Sequence, residues 1–229
     1  LFGPYHEVQR SAEGVSELDS YNVALTAAFD TASGRLTATT GYSDWAMGPY
    51  YNTLDFGFAE LGNGSTLEQT NLSEEIIFTS AEGSDIAWRI GAFINDGQTK
   101  GSFVRDFGGF TFEESTYQFD ATDLAAFGEA TFAATEALDI TVGVRAVSTE
   151  MDSERIEVIP VPGTTLATHE SDAVLPHLNA RYHLSNGTTA FANFAMGYKT
   201  GGFSAFTGNP VLAPYDAEYT TAYEAGVTH

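Results

Sequence analysis

The sequence predicts an all-β protein, an antiparallel up-and-down transmembrane β-barrel. Three observations carry the prediction: period-two alternation in successive segments, alternating runs of about ten residues, the length of a tilted bilayer-crossing strand, and short turns alternating with long connections.

The clearest alternation lies in DLAAFGEATFAATEALDITVGVRAVS, residues 123–148. Leu138, Ile140, Val142 and Val144 fall on one face, and Asp139, Thr141, Gly143 and Arg145 on the other. Ala126, Gly128, Ala130 and Phe132 share an apolar face in the first half, and 133–137 is a break of hairpin length. Two antiparallel strands fit best, because Gly128 and the threonines weaken a helix. A helix over the Ala-rich first half, followed by a strand, is the alternative.

Residues 1–19 hold no sustained period and read as loop or partial strand. Tyr21, Val23, Leu25, Ala27 and Phe29 begin the alternation, and 30–34 is a turn. Leu36, Ala38, Thr40 and Tyr42 return in phase, making a hairpin. A long polar connection is expected over 46–70. Ile76 and Phe78 mark the next strand within 71–80. After a turn at 81–85, Ile86, Trp88, Ile90, Ala92 and Ile94 alternate, and a second long loop runs from 95–97 to about Asp120. A third is expected over 149–172, broken by Pro160, Pro162 and Gly163. Leu178, Ala180 and Tyr182 then oppose His177, Asn179, Arg181 and His183, and Leu184–Gly187 turns the chain. The strand from Thr188 to Tyr198 has Phe191 and Phe194 on opposite faces, which leaves its orientation open. A fourth loop, 199–217, leads to Tyr219, Thr221, Tyr223, Ala225 and Val227 on one side of the last strand. Apolar side chains face lipid in this scheme and small or polar ones the lumen. Trp88, Phe132 and Tyr182 stand beside short turns, where an aromatic girdle belongs. A soluble β-sandwich or solenoid is the rival architecture.

Composition narrows the function classes. With 31 acidic against 9 basic side chains and a net charge of −22, the chain lacks the basic footprint that nucleic acid requires. The absence of cysteine excludes a disulfide framework, a thiolate nucleophile and a cysteine metal site. No 18-residue apolar run and no signal-peptide pattern occurs, and Leu1 reads as a cut within a longer protein. No catalytic motif, phosphate loop or metal-binding motif is present, so neither enzyme activity nor a cofactor is expected.

Several segments taken together resemble the barrel half of TonB-dependent outer-membrane receptors. They are LTATTGYSDW (36–45), NLSEEIIFTS (71–80) with the Trp88 strand after it, and AFGEATF (126–132) followed by Leu138 to Arg145. The sharpest is FANFAMGYKTGGF (191–203), which leads into YDAEYTTAYEAG (215–226). The resemblance implies a barrel of about 22 strands filled by a plug. This chain supplies about nine, with residues 1–229 all in the barrel domain and the plug and C-terminal strands absent. It implies TonB-energised uptake of a scarce nutrient, most naturally a ferric siderophore, at the outer membrane of a Gram-negative bacterium. Implied partners are membrane lipid, the TonB complex through the missing plug, and the small-molecule ligand. A passive porin-like barrel and a soluble acidic β-sandwich that binds carbohydrate or acts as an adhesin are the competing functions.

Two loops carry candidate ligand-binding residues. Phe103, Arg105, Phe107, Phe110 and Tyr117, with Phe112, combine aromatic bodies with one guanidinium, which suits an aromatic or carboxylate-bearing ligand. Tyr198, Lys199, Phe203 and Phe206 form the second group, and packing of loop against loop is the plainer reading of both. Lys199–Gly202 belongs to the family motif, its glycines permitting a bend at the rim. His177 and His183 read as lumen-facing residues bonded to a plug, about 20 Å apart on one strand and so no metal pair. Glu113/Glu114 and Asp152/Glu154 read as solvated rather than Ca²⁺-binding.

Overall fold

The computed structural model describes residues 14–184, 187–205, 209 and 213–229. The alternating segments become strands β1 (Leu18–Thr31), β2 (Gly34–Asp55), β3 (Glu60–Ser80), β4 (Ile86–Phe107), β5 (Phe110–Thr135), β6 (Leu138–Ile159), β7 (Gly163–His183), β8 (Thr189–Lys199), β9 (Gly202–Phe203), β10 (Pro214–Tyr215) and β11 (Glu218–Thr228). One nine-stranded antiparallel sheet runs in the order β1-β2-β3-β4-β5-β6-β7-β8-β11, and β9 pairs with β10 as a separate ribbon. The Ala-rich first half of the 123–148 stretch is strand throughout, with Ala126, Gly128 and Ala130 paired to both β4 and β6.

The expected long loops over 46–70, 97–120 and 149–172 do not exist. β2 to β7 each run 21 to 26 residues and meet in tight turns at the upper rim, at 56–59, 108–109 and 160–162. Gly108 and Gly109 close the β4–β5 hairpin at φ 57° and 84°, where glycine alone is unstrained. Hydrogen-bonded pairing thus continues well past the ten or so residues that a bilayer needs. Among the described residues, β9 and β10, between β8 and β11, stand apart from the wall. Residues 1–13 of the first expected loop, Ser185 and Asn186 of the 184–187 turn, and Phe206 lie outside the described residues.

The register sorts side chains cleanly. On the outer face, Ile90, Gly128, Val144 and Pro176 stand opposite one another across β4 to β7, as do Trp88, Ala130, Val142, Leu178, Phe194 and Tyr223 from β4 to β11. Leu25, Ile90 and Val142 are 69%, 55% and 43% exposed, so no second layer covers them and the sandwich architecture is excluded. Toward the lower rim, Trp88 stacks on Phe78 at 5.7 Å, Phe132 pairs with Ile86 and Tyr182 with Leu138, as a girdle requires.

The inner face has a device of its own. Gly91 faces Phe127, Gly101 faces Tyr117, Gly143 faces His177 and Gly226 faces Phe191, each pair directly opposite across two strands. The ring of each partner fills the space where a glycine Cβ would stand. Phe191 therefore points inward over Gly226, while Phe194 points outward to Tyr223 at 5.4 Å, which settles the orientation of β8.

Candidate functional site

The polar groups of the inner face gather at two heights. In the lower half, Glu129 of β5 receives Arg89 Nε of β4 at 2.9 Å and contacts His177 Nε2 of β7 at 3.1 Å. Arg145 of β6 reaches over the rings of Phe93 and Phe127, its guanidinium carbon 5.6 and 5.3 Å from their centroids. Arg89, Glu129, Arg145, His177, Phe127 and Glu75 line a recess of about 360 Å³. His183 binds Asp139 at 2.7 Å. His183 thus engages a carboxylate of the adjacent β6, while His177 reaches across Gly143 of β6 to Glu129 on β5.

In the upper extension a second network is built around Arg155 of β6. Its side chain is 7% exposed and meets Glu157 at 3.1 Å and Glu113 at 4.0 Å. Arg105 of β4 shares Glu113 at 3.1 Å, donates from Nε to Asn63 at 2.8 Å, and lies 4.8 Å over the buried Phe103 ring. The second guanidinium edge of Arg155 donates to the main-chain oxygen of Ala205, so the segment carrying β9 folds inward against the wall. Phe203 lies edge-on to His169 at 6.1 Å. A Cβ on Gly201 would stand 2.6 Å from the Tyr215 carbonyl oxygen, so these glycines serve close approach. Tyr117, Phe119, Arg155 and Phe203 line a cleft of only about 30 Å³ beneath this segment, about one water's share of volume. Burial pushes the Tyr117 phenol above its ordinary value, and the charge of Arg155 opposes the shift.

The tips of the upper hairpins form a third group. Phe56 and Phe58 of the β2–β3 turn and Phe107 of β4 make a triad with centroids 6.3 to 6.4 Å apart. Phe58 and Phe110 are 83% and 80% exposed.

The sequence-derived candidates therefore separate. Phe103 and Arg105 belong to the network on the inner wall, Phe107 and Phe110 to the tips, and Tyr117 and Phe203 to one cleft that joins the two predicted segments. They sit mainly on strands, because the predicted 103–117 loop is the hairpin of β4 and β5. Tyr198 donates to Ser171 at 2.6 Å and rests on Tyr219, and Lys199 pairs with Glu218 at 3.6 Å, both apart from the cleft. Arg155, Glu157 and Phe56 escaped sequence reasoning: each lay in a stretch read as a long connecting loop, and only the pairing register joins them to their partners. Glu113 is engaged with arginines and Asp152 with Thr168, and no group of three or more metal-binding side chains exists among the described residues.

The sequence matches the family model described as TonB dependent receptor-like, beta-barrel, over residues 3–229. No curated protein matches it. Among solved structures, the ferric yersiniabactin uptake receptor FyuA from Yersinia pestis is similar with a TM-score of 0.81 at 18% identity, over 96% of this chain and 35% of that one. The siderophore receptor PiuA from Acinetobacter baumannii gives 0.72 at 11%, over 96% and 40%. The ferric-catecholate import receptor Fiu from E. coli K12, in its closed form, gives 0.64 at 11%, over 93% and 38%. The chain spans 35–40% of the length of these three structures.

Proposed function

The chain belongs to the TonB-dependent receptor-like β-barrel family, and from that premise we propose that it forms part of the wall of an outer-membrane receptor for TonB-energised uptake of a ferric siderophore. The observation that carries the reading is the one-sidedness of the sheet. Apolar rows, broken by Glu74 and Asp172, cover one face of the sheet while arginine, carboxylate, histidine and amide groups occupy the other. Such a wall stands with lipid outside and a polar lumen within, in the outer membrane of a Gram-negative cell. The remaining strands and a TonB-contacting plug come from elsewhere in the receptor. The work is capture and gating without bond chemistry. The upper extensions would meet the cargo first, with the exposed phenylalanines at their tips and the inner-wall aromatics and arginines below. The similarity to a ferric yersiniabactin uptake receptor and a ferric-catecholate import receptor supports iron chelates as the cargo class.

The test is uptake of radioiron from a panel of ferric siderophores by cells with and without the intact receptor, under iron starvation. The expected result is loss of uptake from one chelate in the deletion strain, and equal loss when TonB is inactivated. Uptake that survives both changes for every chelate overturns the siderophore reading.

A further inference from the structure

Glu74 occupies a position that the uptake reading leaves unexplained. Across β1 to β5 one outer row reads Leu25, Thr40, Glu74, Ile94, Leu124, so its carboxylate stands among lipid-facing side chains. Leu72 lies above it and Ile76 below it on the same face of β3. Thr40 Oγ1 donates to one carboxylate oxygen, and the other has no partner among the described residues. An ionisable side chain set in an apolar membrane face is costly and marks a function, with its partner to be sought.

Beside it runs a groove of about 710 Å³ on the outer face, spanning β3 to β7. Ala92, Ala126 and Ala146 lie side by side across β4, β5 and β6 and make its floor, between the larger Ile94 and Leu124 above and Ile76 at one end. Glu74 closes the end on β3, and Asp172 the end on β7. The floor suits an alkyl chain, and the acidic ends repel an anionic headgroup and attract a cationic one.

We propose that this groove holds an amine-bearing lipid, its acyl chain along the alanine floor and its ammonium against Glu74. Charge selects the occupant: the groove's ionisable groups are both carboxylates, so of two lipids with the same chain and the same phosphate, the one carrying an added ammonium is held. Thr40 positions the carboxylate by occupying one oxygen and leaving the other for the ammonium. This assignment rests on the reading that the outer face meets lipid, and it is independent of which cargo the receptor carries.

The complete receptor is reconstituted in nanodiscs of equal phosphatidylethanolamine and phosphatidylglycerol with identical acyl chains, and retained lipid is read by native mass spectrometry. The wild-type protein is expected to retain the ethanolamine lipid about fivefold over the glycerol lipid. E74Q should abolish the preference while keeping lipid bound, and A126L, which fills the floor, should lower retention of both. Equal retention by the wild type, or an unchanged preference in E74Q, overturns the proposal and leaves the uptake reading standing. A receptor dimer that A126L dissolves also overturns it, since the occupant is then a second copy. Failure of the receptor to enter the discs overturns the lipid-facing reading and the proposal together.

Discussion

The Arg155 guanidinium donates to the main-chain oxygen of Ala205, tying the chain just after β9 to the β6 strand behind it. Arg155 also holds Glu157 and approaches Glu113, with almost no solvent access. Removing one member of a buried ion pair costs about 3–5 kcal/mol, because the partners keep their charge without compensation. Arg155→Ala in the complete receptor should therefore release Ala205 and the adjoining β9 before anything else. Limited trypsin digestion should show new cleavage after Lys199, while outer-membrane insertion persists. Arg155→Met, which restores bulk without charge, should give the same cut; protection in that variant would assign the effect to packing alone.

Tyr117 supplies a pH dependence. Burial raises its pKa in the folded protein above the unfolded value of about 10. Once the pH passes that value, the unfolded chain gives up the proton while the folded one retains it. The contribution is complete below pH about 10 and is lost as the pH rises through the folded pKa. Phenolate absorbance should show one tyrosine titrating late, and Tyr117→Phe should remove both that component and its part of the alkaline loss of stability.

Val144 stands on the apolar face between Gly128 and Pro176, 46% exposed. Val144→Arg should destabilise the folded receptor in vesicles by about 2–4 kcal/mol, the cost of a lipid-facing arginine at mid-membrane depth. Thr141→Lys, one strand face away, points into the lumen and should cost less than half as much. Urea titration of the reconstituted protein separates the two. Equal costs would mean that the faces are assigned the wrong way round.

What could be read from residues follows the membrane boundary. Leu138 to Arg145 alternates because one side meets lipid and the other water, and that contrast printed the strand on the sequence. Above the boundary both sides of the same strand are wet. Glu113–Asp123 and Thr149–Ile159 then carry polar groups on both faces, and a strand there has the composition of a loop. Three expected loops became strand extensions for this reason. The candidate residues fared accordingly: their types were visible, but the joining of Arg105 to Asn63 and Glu113, or of Phe107 to Phe56, depends on hairpins whose existence composition did not announce.

The tip phenylalanines offer the direct test of capture. Phe58 and Phe110 are largely exposed, and Phe58 gives up only its ring contacts with Phe56 and Phe107, so Phe58→Ala with Phe110→Ala should alter stability by no more than about 1 kcal/mol. If the tips seize the cargo, the double variant should raise the half-saturating concentration for the transported chelate about tenfold, two aromatic contacts being worth about 0.5–1.5 kcal/mol each. Unchanged half-saturation would leave recognition to the walls below.

The rings seated on glycines bear on how the barrel finds its alignment. Ile90, Ala92 and Ile94 would slide past Leu124, Ala126 and Gly128 by two positions and still present grease to lipid, so the lipid side tolerates such errors. The lumen side does not. The same slide would drive Phe127 onto Phe93 or Arg89, and His177 onto Thr141 or Arg145. Each bare glycine thus works as a notch that accepts one ring at one offset, and the four notches fix the assembly of a wall whose other side would accept several.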